Sequence, residues 1–173
     1  GLDYASSLGE TAEQLGVSTK ALQEYRYAAS QVGIEQAAMD KALAQGTRRL
    51  GDAAIKGGKA AAVYQNLGID IRDATGKVRD IGDLLPEIAE GLKSIESPAE
   101  RASILVAMFG KSGQQLAPLL SSGAAGVNDL RKAAQELGIV MDDAMIAKAD
   151  AAADKMSELK QVLEARIAIA VTD

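Results

Sequence analysis

The sequence has no cysteine, no histidine and no tryptophan, and only four tyrosines and one phenylalanine in 173 residues. Each absence removes a class of chemistry. Without His or Cys there is no Ser-His-Asp or Cys-His nucleophile system, no CxxC redox pair, no disulfide and no zinc-finger-type site. Lys and Arg number 19 against 24 Asp and Glu, a formal net charge of −5. That excess of acid argues against sequence-independent binding to nucleic acid, which is driven by Lys and Arg displacing counterions from phosphates. No window is long and apolar enough for a transmembrane helix, the run Ile167 to Val171 being far too short. No basic leader followed by an apolar core opens the chain, so no secretory signal is expected. The start without Met and the end at Val171-Thr172-Asp173 read as the limits of a piece of a longer protein.

What is present is aliphatic. Hydrophobic residues make up 47% of the chain, Ala is the most frequent residue, and Leu and Ile supply most of the larger side chains. Ala and Leu lead the helix-propensity ranking, and the strand-favouring signature of Tyr, Phe, Trp and Thr is missing. The expected fold is mainly α, one domain or one domain with an appended segment.

A hydrophobic-Gly-hydrophobic tripeptide punctuates the chain at Leu15-Gly16-Val17, Val32-Gly33-Ile34, Leu67-Gly68-Ile69 and Leu137-Gly138-Ile139. This is the signature of a helix C-terminus, with Gly in the left-handed conformation and the next apolar residue folding back on the third-last helical residue. For Gly68 that contact pairs Ile69 with Tyr64. Between the stops the sequence predicts helices over about 3–15, from the N-cap Ser18 through Val32, over 35–56 with Gly46 as a weak point, and over 59–67. Ile69, Ile71 and Val78 flank Asp73-Ala74-Thr75-Gly76, which predicts a small β-hairpin or hairpin-like loop within about 69–80. Asp83 restarts a helix carrying Leu84, Leu85, Ile88 and Leu92. Ser97-Pro98-Ala99-Glu100 has N-cap Ser, Pro at the first helical position and Glu at the third; the helix it opens should end at Gly110. A short helix over 114–120, a break at 123–126 and a helix over 127–137 complete residues 1–140, read as one compact helical domain.

Residues 141–173 read as one long C-terminal helix, since no breaker occurs from Asp142 to Val171. Ile146, Ala149, Ala153, Met156, Leu159, Leu163, Ile167 and Ala170 recur at steps of three or four. The candidate helix-packing interface is Ile146, Met156, Leu159, Leu163 and Ile167. A stripe this narrow fits a coiled coil with another chain and fits packing on its own domain equally well.

Other motifs resolve to simpler chemistry. Lys56-Gly57-Gly58-Lys59 and Gly110-Lys111-Ser112-Gly113 resemble fragments of a phosphate loop, but neither has Gly, four residues, then Gly-Lys-Ser/Thr. Asp70, Asp73 and Asp80 surround Gly76, yet the spacing puts Ile71 where a calcium loop needs its first oxygen ligand. Glu96-Ser97 is the pair a lytic transglycosylase uses, but such a Glu needs a sugar-binding cleft lined by aromatics. Only Tyr4, Tyr25, Tyr27, Tyr64 and Phe109 exist, and the downstream Gly-Leu-Met-Gln-type segment is absent. Glu96 reads as a linker residue before a helix cap. No catalytic residue, cofactor or metal ion is expected.

Several blocks, in order, resemble phage tail tape measure proteins, which also occur in prophages. They are the run Lys20-Ala21-Leu22-Gln23-Glu24-Tyr25-Arg26-Tyr27-Ala28-Ala29; Met39 to Leu43; Leu67 to Ile69 with Arg72 to Gly76; and Asp83 to Ala89. The most specific are Pro98 to Ala102, Met108-Phe109-Gly110-Lys111-Ser112-Gly113 and Leu116 to Leu120, followed by Glu136 to Val140. The resemblance spans about 15–165. It implies a structural, non-enzymatic module, in the N-terminal region of a long helical chain around which tail tube subunits polymerise and whose length sets tail length. It further implies tail tube and tail-assembly proteins as partners, a homo-oligomer as one arrangement, and a place in the virion tail after assembly in the host cytoplasm. A helical adaptor unrelated to tails is the other reading of the same pattern.

Overall fold

The computed structural model describes residues 2–172 as a helical domain. The helices are α1 (Leu2–Leu15), α2 (Thr19–Gln31), α3 (Gln36–Lys56), α4 (Gly58–Asn66), α5 (Ile81–Lys93), α6 (Pro98–Phe109), α7 (Ala117–Leu120), α8 (Gly123–Glu136) and α9 (Asp143–Thr172), with a 3-10 helix (Gly110–Leu116) between α6 and α7. The expectation of a mainly helical fold ending in a long helix holds.

Local chemistry accounts for most boundaries. The Ser18 and Ser97 hydroxyls accept from Ala21 N–H at 3.0 Å and Glu100 N–H at 3.2 Å, each satisfying one of the donors a helix start leaves open. Gly16, Gly33, Gly68 and Gly138 all have φ between 70° and 79°. At Gly68 the Ile69 N–H reaches back to the Tyr64 carbonyl at 2.9 Å, and both side chains are buried, as the tripeptide predicts. Where a hairpin is expected, the described residues hold one antiparallel bridge, Arg72 to Val78, and no named strand. The loop is shaped by Asp73, whose Oδ1 accepts from Thr75 N–H, Thr75 Oγ1 and Lys77 N–H at 2.9, 2.6 and 3.1 Å. Those bonds, led by the Thr75 hydroxyl, hold its carboxyl below the usual range. They also account for the Asp-Gly cluster by turn chemistry.

Four boundaries differ from expectation, each for a tertiary reason. Gly46 does not weaken α3; a Cβ there would stand 2.7 Å from the Phe109 ring, so its bareness lets α6 approach. α5 starts at Ile81, before Asp83, because Asp80 supplies the cap through Gly82 N–H at 2.7 Å. The stretch 110–116 winds as a 3-10 helix, since Gly113 lies against the Leu105 carbonyl where a Cβ would meet it at 2.3 Å. Finally, 123–126 is no break: α8 begins at Gly123, its Ala124 N–H donating to the Glu90 carboxylate of α5 at 3.1 Å.

The core sits among α2, α3, α5, α6 and α8, with Leu22, Met39, Leu43, Ile88, Met108 and Phe109 fully buried. It is closed by a polar knot that begins with Pro86. Proline has no N–H, so the carbonyl four residues earlier in a helix loses its partner. That carbonyl is Gly82, and it instead accepts from the Tyr25 hydroxyl of α2 and from Arg131 Nη1 of α8 at 3.2 Å. Arg131 lies over the Tyr25 ring, 5.0 Å from its centroid, and its Nε donates to buried Glu24 at 2.9 Å. Gln135 donates to the other oxygen of Glu24 at 2.8 Å. One proline on α5 thus fixes how α2 and α8 sit on it. Tyr25, Glu24 and Pro86 all lie in the blocks that carry the tape-measure resemblance, where their work is packing.

Candidate helix-packing surface

α9 is a 30-residue helix, about 45 Å long at 1.5 Å per residue. Its first turns belong to the domain and pack on α1. The Asp142 carboxylate caps them, accepting from Met145 N–H at 2.8 Å. Beyond that the helix leaves the domain: every residue from 154 to 171 is exposed.

The structure divides the candidate interface residues into two groups. Met156, Leu159, Leu163 and Ile167 are 59%, 62%, 57% and 54% exposed, whereas Ile146 is only 5% exposed. Ile146 is therefore corrected from a surface residue to a core residue; its Cγ2 lies 3.8 Å from where a Cβ on Gly9 of α1 would sit. The cause is angular. Ile146 and Met156 are ten residues apart, about 80° round the helix, so they never shared a face. Met145 is eleven residues from Met156, only about 20° off, and it is 53% exposed. The stripe thus runs Met145, Ala149, Ala152, Met156, Leu159, Leu163, Ile167, half-buried at Ala149 and Ala152 and exposed at the other positions. Steps of three and four drift round the helix, and the accumulated angle identifies Met145. Val162 and Val171 are also exposed, on other faces.

The charges around the stripe are mixed. Lys155, Lys160 and Arg166 alternate with Asp154, Glu158 and Glu164. Lys160 lies 4.0 Å from Glu164, a solvated pair worth little. The surface presents apolar side chains to solvent between these charges.

The other motifs take structural places. Glu96 is exposed in the short α5–α6 link, and its carbonyl accepts from Arg101 at 2.9 Å. Gly57 and Gly58 form the α3–α4 junction, both at positive φ. Ser112 is buried and its hydroxyl donates to the Phe109 carbonyl at 3.3 Å. No group of three or more potential metal ligands occurs among the described residues, and no described helix is long and apolar enough to cross a membrane.

Fold and surface together define a helical domain whose long C-terminal helix carries an exposed apolar stripe. The chain belongs to the phage-related minor tail protein family, whose model matches residues 2–110, from α1 through α6. It is thus a phage tail protein. No curated protein and no solved structure matches it.

Proposed function

We propose that this chain is a structural module of a tail tape measure protein, without catalytic activity, that joins the tail by packing α9 on the α9 of further copies. The observation that carries the proposal is the arm: residues 154–171, about five turns of helix, all exposed and carrying an apolar stripe. Family membership supports the tail setting, and the ordered resemblance from Lys20 to Val140 supports the tape measure role. Tail tube and tail-assembly proteins are the remaining partners of this reading, with the virion tail as its site and the host cytoplasm as the place of assembly.

Magnitudes set how the stripe works. Burying the exposed half of each of Met156, Leu159, Leu163 and Ile167 contributes about 1 kcal/mol per residue, or roughly 8 kcal/mol for two helices. Association costs about 4–15 kcal/mol. The contact is therefore weak between free chains and strong between copies already held in one particle.

The length-setting role is tested in the native reading frame. In-frame duplication of the 30 residues 143–172 should lengthen tails by about 45 Å in electron micrographs, one helical rise per residue. Tails of unchanged length would remove the tape measure reading.

A further inference from the structure

The link between α8 and α9 holds itself in place poorly. It includes Gly138 at φ 70°, and Leu137 and Ile139 point to solvent. Yet α9 leaves the body in one direction. The restraint comes from α1, on which the first turns of α9 pack, and from α2.

Gln23 is buried, and its amide engages Met141 of the link from both sides. Its Nε2 donates to the Met141 carbonyl at 2.8 Å and its Oε1 accepts from the Met141 N–H at 2.7 Å. The second amide hydrogen goes to the Thr19 carbonyl at 3.1 Å, so both amide hydrogens are used. Two more contacts surround this one: the Thr19 hydroxyl donates to Asp143 Oδ1 at 2.7 Å, and Ile146 packs against α1. The next residue on α2, Glu24, holds Gln135 in the last turn of α8. Two consecutive side chains of α2 thus hold the end of one helix and the approach to the next.

We infer that Gln23 is a latch that sets the heading of α9. The inference rests on reading α9 as a packing arm, and it adds that this amide, together with the packing of Ile146 on α1, sets the arm's direction at its base. Only a side chain with a donor and an acceptor at that reach can bind both sides of the Met141 peptide. A carboxylate would oppose the Met141 carbonyl, and an aliphatic chain would leave both peptide groups unpaired. Opening the latch frees the link, with the α2–α5–α8 core untouched, so the arm swings while the body stays folded.

The absence of cysteine makes the test direct. Exposed Ala62 and Ser157 are replaced by cysteine, A62C and S157C, in the full chain and spin-labelled. The distance distribution between body and arm is then measured with the labelled chain diluted in unlabelled chain, so that association of α9 neither mimics nor hides the result. A narrow distribution is expected with Gln23 and a broad one in Gln23→Met, which keeps side-chain volume and removes both bonds. The Met141 amide should exchange with solvent on the order of tenfold faster in the variant. Equal widths in the two proteins, or a broad distribution with Gln23 in place, would overturn the inference. Should Gln23→Met fail to fold, exchange in the unsubstituted chain decides: protection of the Met141 amide comparable with the α2 and α8 amides supports the latch, and an unprotected amide refutes it.

Discussion

Two glycines on one helix make opposite demands on a methyl group. In α3, Gly→Ala gains up to about 1 kcal/mol from backbone entropy where space is open. At Gly51 nothing lies within 4 Å of the added Cβ, so Gly51→Ala should stabilise the protein by that order. At Gly46 the Cβ would sit 2.7 Å from the Phe109 ring and 3.0 Å from Ile81. Overpacking of this kind costs about 1–3 kcal/mol and outweighs the propensity gain. Urea midpoints of the two variants should therefore move in opposite directions; a stabilised Gly46→Ala would refute the close approach of α6 to α3. Tyrosines give a second residue-scale prediction. Burial pushes the Tyr25 and Tyr64 phenols well above their usual range. In the unfolded chain they ionise near pH 10, so this contribution to stability is whole below about pH 10 and declines as pH rises above it. The Tyr64 hydroxyl has no hydrogen-bond partner among the described residues. Tyr64→Phe should thus be neutral or stabilising at pH 7 and should flatten the alkaline decline in denaturation measured at successive pH values.

At the scale of elements, the arrangement of α2, α5 and α8 depends on the carbonyl that Pro86 leaves open. Arg131→Met removes a donor to Gly82 and leaves Glu24 buried with only Gln135 as a side-chain partner. Removing one member of a buried pair costs about 3–5 kcal/mol. Replacing Glu24 as well, as Glu24→Leu with Arg131→Met, should recover part of that loss in a double-mutant cycle. Additive losses would mean that the two side chains act independently. This scale also shows what can be read from sequence. The Ser18 and Ser97 caps and the glycine stops were legible because donor and acceptor lie within about five residues of each other. The start of α8 was not, because its cap is Glu90, 34 residues upstream. Nor was the knot: Tyr25 and Gly82 are 57 residues apart, and the helix read from Asp83 through Leu92 does not say which group takes up the carbonyl that Pro86 leaves open.

For the whole molecule, the body accounts for most of the burial and α9 for most of the exposed large apolar side chains. The long helix and the stripe of Met156, Leu159, Leu163 and Ile167 were legible from spacing alone. Which end of that stripe the body covers was not, since a helical pattern does not say where a chain's own neighbours stop; hence Ile146 moved to the core and Met145 to the surface. The tail setting was legible from the order of the resembling blocks, while those blocks proved to hold packing residues such as Glu24, Pro86 and Gly113. The central claim is that the stripe beyond 154 is a packing surface between copies. It is tested by light scattering over a concentration series on the full chain and on Leu159→Glu with Leu163→Glu. Both positions are fully outside the body, so the double variant should keep the parent's helicity and melting. The account predicts a mass that climbs above 17.9 kDa for the parent as concentration approaches about 1 mM, the dissociation constant of a contact worth about 4 kcal/mol, and stays at 17.9 kDa for the variant. Superimposable series for the two proteins would contradict it.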